Sequence, residues 1–262
     1  MELFGYKIFK KNRPDTVFFN KKKSFLSIFD GNEKLSIFDI GANVGQSYRF
    51  FRSIFSRADI CCFEPTKDAF KQLENATEDD AKAKAYQIAF GSTAGELELF
   101  TYPDSHQNSV FALNKDALSL KNNLHKDVPA MFEVPVQKQS CPLARLDTFC
   151  ATNGYDKIDI LKIDVQCYED EVLLGATELL ASEAVGVIML EIIFEDVYNR
   201  PLSFGKIESI IAPYGYVLYD IAHIYKDLNI NRTCFVDAIY ISKKLFEKKK
   251  TKLYPALQKE DM

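Results

Sequence analysis

Two periods of apolar residues alternate along the chain. LSIFDI (35–40), DICCFEP (59–65), AYQIAF (85–90), DILKIDV (159–165), VGVIMLEII (185–193), GYVLYDI (215–221) and CFVDAIYIS (234–242) are short apolar runs that predict buried strands, several of them stopped by Gly or Pro. Helical spacing takes over between them. Val44, Tyr48, Phe51 and Phe55 make one apolar face, residues 66–76 and 143–151 read as further helices, and Tyr168, Val172, Leu173, Ala176 and Leu180 mark another face before a helix over 204–212. ELELFTY (96–102) alternates, which predicts a strand pairing nearby after the GSTAG turn. Residues 103–135 carry the weakest pattern, a polar PDSHQNS stretch and a helix around 112–124, and are expected to form an excursion over a ligand site.

Strands separated by helices imply parallel pairing through right-handed crossovers, hence an α/β fold with helices on both faces of the sheet. The last two strands are joined only by DIAHIYKDLNINRT (220–233), too short for a crossover, so an antiparallel hairpin with one reversed strand is expected at that edge. No repeat or linker interrupts the pattern. The expected organisation is a domain over 35–242 with a basic lead-in (1–34) and a basic tail (243–262).

Composition narrows the classes. Among 262 residues, 47% are hydrophobic and 27% charged, the values of an ordinary globular protein. A formal net charge of -4 gives no support to nucleic-acid binding, although Lys7, Lys10, Lys11, Arg13, Lys21, Lys22 and Lys23 crowd one end and Lys243, Lys244, Lys248, Lys249, Lys250 and Lys252 the other. These runs are read as solvated ends. No apolar run reaches the roughly 20 residues of a membrane span, and residues 1–20 lack a signal-peptide core. The six cysteines form no C-x-x-C pair, and adjacent Cys61 and Cys62 point to opposite faces of a strand, so buried thiols in the reducing cytoplasm are expected. His106, His125 and His223 have no metal-ligand spacing.

Candidate chemistry centres on FDIGANVGQS (38–47). Two glycines at the carboxyl end of a strand, opening a helix, suit close approach of a ligand to the backbone. In an open α/β sheet the ligand sits beyond the carboxyl ends of the strands, and four such ends carry an acid: Asp39, Glu64, Asp164 and Glu191. Glu64 lies about twenty residues past the turn, the distance at which an acid accepts from ribose hydroxyls. The turn lacks the G-x-G-x-x-G of a pyrophosphate-binding cofactor. S-adenosylmethionine has ribose without pyrophosphate, and its ammonium and sulfonium suit Asp39 and the neighbouring carboxylates.

FDIGANVGQS, FEP (63–65) and ILKIDVQCYEDEVLLGATELL (160–180), with IAFGSTAGELEL (88–99), ARLDTF (144–149), MLEIIFEDVY (189–198), GYVLYDI (215–221) and VDAIYIS (236–242), together resemble the FkbM family of methyltransferases over roughly residues 35–242. The resemblance implies the class I methyltransferase fold, Rossmann-like, with a mostly parallel seven-stranded sheet and a reversed terminal strand. It implies Asp39, Gly41, Ala42, Asn43, Gly45 and Gln46 as the cofactor turn, Glu64 at the ribose, and Asp164 at the active-site end of its strand. The implied activity is O-methylation of a hydroxyl on a sugar, glycolipid or secondary metabolite. Asp164, Glu191 and His223 are the candidates for the base or for orienting the hydroxyl, with His223 expected in a loop. Asp164 and Glu191 also suit a shared divalent ion, but no ligand spacing supports one. Alternatives are RNA methylation, disfavoured because no Asn/Asp-Pro-Pro-aromatic motif occurs, and a cofactor-binding module without turnover. The one departure from the family pattern is Cys167, where glycine is usual; it is expected to resist a positive φ and to reshape the substrate side. Oligomeric state and acceptor identity stay open.

Overall fold

The chain is described by a computed structural model covering residues 15–114, 117, 137–200, 202–227 and 232–253, with two short paired strands, Glu2–Leu3 and Tyr6–Lys7. In chain order the main elements are α1 (Asp15–Ile28), β1 (Ser36–Ile40), α2 (Gln46–Ile54), β2 (Asp59–Phe63), α3 (Lys67–Thr77) and β3 (Ala83–Tyr86). A side sheet follows: β4 (Ala89–Phe90), β5 (Gly95–Thr101) and β6 (Gln137–Ala144). The chain then returns through α4 (Leu146–Asn153), β7 (Ile158–Ile163), α5 (Glu169–Leu174), α6 (Thr177–Ala181) and β8 (Val185–Ile193). It ends with α7 (Phe204–Ile211), β9 (Tyr216–Asp227), β10 (Arg232–Ser242) and α8 (Lys243–Leu253).

The seven-stranded sheet has the order β9-β10-β8-β7-β1-β2-β3. Only β10 runs against its neighbours, antiparallel to both β8 and β9. From β1 the chain steps outward through β2 to β3, then crosses to β7 and steps out the other way, so the order reverses between β1 and β7 and opens a crevice there. The two faces of the sheet bury separate cores. Phe38, Phe63, Leu161 and Leu190 lie on one side. On the other, Ile37, Ile160, Val187 and Ile239 pack with Phe25 and Ile28 of α1 and Phe51 of α2. Cys61 and Cys62 belong to opposite cores, as their adjacency in a strand requires.

Several elements differ from the pattern reading. AYQIAF is two strands: Ala83–Tyr86 closes the main sheet beside β2, whereas Ala89–Phe90 leaves it to pair with Leu143–Ala144. Residues 143–151 are not one helix, because β6 runs to Ala144 and pairs with the whole of β5 before α4 begins. The helical face over 168–180 is broken at Gly175, where a Cβ would stand 2.1 Å from the Gly91 carbonyl oxygen. Strands β9 and β10 extend into the supposed loop 220–233, so the reversed strand is second from the edge and His223 is a strand residue. The helix expected around 112–124 lies almost wholly outside the described residues; of it, Leu113 forms an isolated bridge with Tyr198. Both basic ends contribute helices to the packing. Phe25, Ile28 and Phe29 of α1 are buried, and Leu245 and Phe246 of α8 pack on the same core.

Candidate functional site

The turn after β1 is left-handed three times, at Gly41 (φ 75°), Asn43 (φ 48°) and Gly45 (φ 88°). Gly41 has a steric reason to be glycine: a Cβ there would lie 1.9 Å from the Asp164 carbonyl oxygen of the next strand. Gly45 caps α2 in the left-handed conformation that glycine adopts at little cost. Glu64, at the end of β2, closes the turn. Its Oε2 accepts from the Asn43 backbone N–H at 3.0 Å, and its Oε1 from the Thr66 N–H at 2.9 Å and the Thr66 hydroxyl at 2.6 Å. Burial pushes its pKa above the ordinary carboxylate value, with these three donors working the other way. An ionised carboxylate offers about four acceptor positions, so one is left for a ligand hydroxyl.

A polar row continues across the carboxyl ends of β1, β7 and β8 and onto Asp237 of the reversed β10. Asp39 is fully buried, its oxygens accept no well-aligned hydrogen bond, and the Lys162 ammonium lies alongside at 2.9 Å. Burial pushes the Asp39 carboxyl up despite that neighbour. Lys162 also donates to the Gly41 carbonyl at 2.8 Å and stands 3.6 Å from Asp164. Burial works against its charge, but Asp39 and Asp164 outweigh that and hold the ammonium protonated. Asp39 is therefore not among the residues lining the crevice. It braces the glycine turn from behind, through a lysine that pattern reading passed over although it interrupts the apolar ILKI of β7.

Asp164 and Glu191 do line the crevice, and one amide joins them. Gln166 Nε2 donates to Asp164 Oδ1 at 3.0 Å and to Glu191 Oε2 at 2.9 Å, while its Oε1 accepts from the Tyr198 hydroxyl at 2.9 Å. Burial first, then the charges of Asp164 and Asp237, raise the Glu191 pKa well above its ordinary value. Gln166 and Cys167 are both left-handed, at φ 56° and 74°. The Cys167 carbonyl accepts from Arg200 at 3.0 Å, and Arg200 makes a paired contact with Asp170. Cys167 thus adopts the positive φ that cysteine was expected to resist. The thiol is buried in the core rather than placed on the crevice wall, so it does not reshape the substrate side by lining it. Burial pushes the thiol pKa up to about 12.

The crevice opens into a cavity of about 600 Å³. One end is walled by Gly41, Ala42, Asn43, Gln46 and Glu64. Over it sits a 3-10 turn, Ser105–Gln107, tied down by Ser105 Oγ to Asn43 Oδ1 (2.7 Å) and by His106 Nε2 against Gln46 Nε2 (2.8 Å). The turn belongs to the predicted excursion, of which the described residues include 103–114 and 117. Leu97, Leu99 and Val110 add an apolar wall from the side sheet. The far end holds Glu191, His223, Asp237 and Lys21 with Met189, Ile193 and Phe235. His223 Nδ1 lies 3.3 Å from Asp237 Oδ2, and the Lys21 ammonium lies 2.5 Å from the same oxygen. Neither Asp237 nor Lys21 carried a sequence signal: one lies within a strand, the other within a basic run. Among the described residues no group of three or more His, Cys, Asp or Glu is placed to hold a metal ion, and no helix is long and apolar enough to cross a membrane.

The strand order and a crevice at the switch point between β1 and β7 define a Rossmann-like α/β domain of the class I methyltransferase type. The methyltransferase FkbM domain matches residues 39–218, and the chain belongs to that family. Its relatives include the 2-O-methyltransferase NoeI of Sinorhizobium fredii, 26% identical over 55% of this chain and 58% of that protein. They also include the 31-O-demethyl-FK506 methyltransferase FkbM of Streptomyces tacrolimicus, 29% identical over 54% and 59%, and the methyltransferase sdnD of Sordaria araneosa, 29% identical over 54% and 60%. The chain spans about six-tenths of the length of these relatives.

Proposed function

We propose that the protein transfers the methyl group of S-adenosylmethionine to a hydroxyl acceptor. The observation that carries this reading is the glycine turn: Gly41, Ala42 and Asn43 line the cavity at the switch point, with Glu64 one residue past the next strand. Those residues fit the cofactor. Gly41, Ala42, Asn43 and Gln46 would flank its amino-acid and ribose portions, and the remaining acceptor position on Glu64 would take a ribose hydroxyl. Asp39, sealed behind the turn, holds the loop through Lys162 rather than touching the cofactor.

When bound, the cofactor supplies an electrophilic methyl on a sulfonium. The protein aligns the acceptor oxygen in line with it and receives the hydroxyl proton. Asp164 and Glu191, bridged by Gln166, orient the acceptor hydroxyl, and the raised pKa of Glu191 suits a hydrogen-bond donor. His223 is the base. The apolar wall from β5, β8 and β10 favours an acceptor hydroxyl carried on a partly apolar body, a glycolipid or secondary metabolite, over a free sugar. RNA is disfavoured on a further ground: Lys21 is committed to Asp237 and Lys249 to Glu33, so neither is a free phosphate contact.

Calorimetric titration with S-adenosylmethionine and S-adenosylhomocysteine, with NAD as control, tests the cofactor assignment. Saturable binding of the two sulfur nucleosides alone is expected; binding of NAD, or of none, overturns it.

A further inference from the structure

Three side chains at the far end of the cavity come from three elements, and all lie outside the stretch that matches the family, residues 39–218. Lys21 is on α1, His223 on β9 and Asp237 on β10. The register places Asp237 opposite His223 on one side and opposite Glu191 on the other. Lys21 and His223 converge on one atom, Asp237 Oδ2, as close contacts without a well-aligned hydrogen bond, and their side chains keep only 15% and 16% of their exposure. Asp237 is itself almost wholly buried. The His223 ring is set edge-on to Phe235, with centroids 5.6 Å apart and planes at 83°, so its rotation is restricted. Its Nε2 has no hydrogen-bond partner among the described residues, and the residue lines the cavity.

A half-buried lysine and a half-buried histidine meeting at one carboxylate oxygen exceed what packing needs. Asp237 alone would satisfy Lys21, and an apolar residue at 223 would fill the strand. From this convergence we infer that Asp237 and Lys21 are positioning residues for His223. Asp237 holds the proton of the neutral ring on Nδ1, which leaves the Nε2 lone pair facing the cavity. Lys21 fixes Asp237 Oδ2 beside the ring. This rests on the methyl-transfer reading above. In that reaction the acceptor oxygen bonds the methyl carbon as the carbon–sulfur bond breaks, its electron pair going to sulfur. The hydroxyl proton passes to His223 Nε2, and the resulting imidazolium sits against Asp237. The charged groups facing the ring are Lys21 from α1, Asp237 from β10 and Glu191 from β8, with Tyr225 on its own strand. Gly41, Asn43 and Glu64 sit in the matched stretch, and Lys21, His223 and Asp237 lie outside it.

The test reads the ring directly and needs no acceptor. The full chain has three histidines, so histidine-selective nitrogen-15 labelling, with His223→Gln for assignment, isolates the resonances of His223. The neutral wild-type ring is expected with Nδ1 protonated and Nε2 bare. Asp237→Ala is expected to shift the ring to the Nε2–H form that a free imidazole favours. Should that variant fail to fold, Asp237→Asn keeps a carbonyl acceptor, and the Nδ1–H form is expected to persist. In Lys21→Met, with Asp237 no longer fixed, the Nδ1–H form is expected to lose its dominance. A wild-type ring protonated on Nε2, or a ring indifferent to both Asp237 and Lys21, overturns the inference. Calorimetry on the same proteins separates the two readings, since S-adenosylmethionine affinity in the folded variants should stay within about threefold of wild type. If the wild type bound no S-adenosylmethionine, the methyl-transfer reading would fail while the tautomer result stood.

Discussion

The two ends of the cavity are built on different principles. At the glycine turn the polar groups serve the backbone: Glu64 holds Asn43 and Thr66, Lys162 holds Gly41, and Asp39 stands behind Lys162. At the far end the polar groups serve one another, with Lys21 and His223 meeting on Asp237 and the turn untouched. The first end lies in the stretch shared with the family, and the second lies outside it. The contrast suggests a division of labour. The turn end presents fixed backbone to a ligand, whereas the far end presents side chains drawn from α1, β9 and β10.

Substitutions at the turn end should therefore damage fold and cofactor binding together. The largest effect is expected for Lys162→Met, which leaves Asp39 buried without its cation and costs roughly 3–5 kcal/mol. Thermal unfolding reads this, and Asp39→Asn in the same chain should recover part of it; an unchanged midpoint would mean that the pair contributes nothing. Gly41→Ala forces a Cβ against the Asp164 carbonyl at a positive φ, at a cost of roughly 2–4 kcal/mol, with loss of S-adenosylmethionine binding in calorimetry. Glu64→Ala removes an acceptor from ligand and turn alike and should weaken that affinity by roughly 1–3 kcal/mol; wild-type affinity would remove Glu64 from the ribose.

Two smaller effects sharpen the contrast from the middle of the row. Glu191 is held above its ordinary pKa by burial and by Asp164 and Asp237. Below about pH 4.5 the folded and unfolded chains both carry its proton and it contributes nothing; as pH rises past that value the unfolded chain releases the proton first, and folding loses stability. Glu191→Gln should accordingly raise the melting temperature more at pH 8 than at pH 4, and an equal change at both would refute the raised value. The smallest effect belongs to Cys167→Gly. Emptying a buried side chain normally destabilises, but here relief of the left-handed backbone, about 1–2 kcal/mol, opposes it and should leave stability within about 1 kcal/mol of wild type. Chemical denaturation checks this, and a loss above 2 kcal/mol would mean that Cys167 is unstrained.

How much was legible depended on whether a signal was local. Strands β1, β2, β7 and β8 were read nearly to the residue, because apolar runs buried on both faces leave a continuous mark. The glycine turn was legible because only glycine tolerates that backbone near a neighbouring chain. AYQIAF was misread as one strand because apolar character says that a residue is buried, not which partner it pairs with. QKQSCPLA was missed as a strand because it is half exposed and contains Pro142. Asp39 was assigned to a ligand because an acid in that place suits one; only the depth of Lys162, reached across two strands, sends it elsewhere.

By itself the sequence determined the alternation of strand and helix, the family, the turn and the acids at the strand ends, since each follows from residues close together in the chain. Tertiary structure alone decided which of those acids face the cavity. It also turned the supposed loop around His223 into a strand and brought Lys21, His223 and Asp237 to one point. The reason is physical. Residues more than 200 positions apart meet only because α1 lies across the sheet beside β9 and β10, and no local period records a contact of that length.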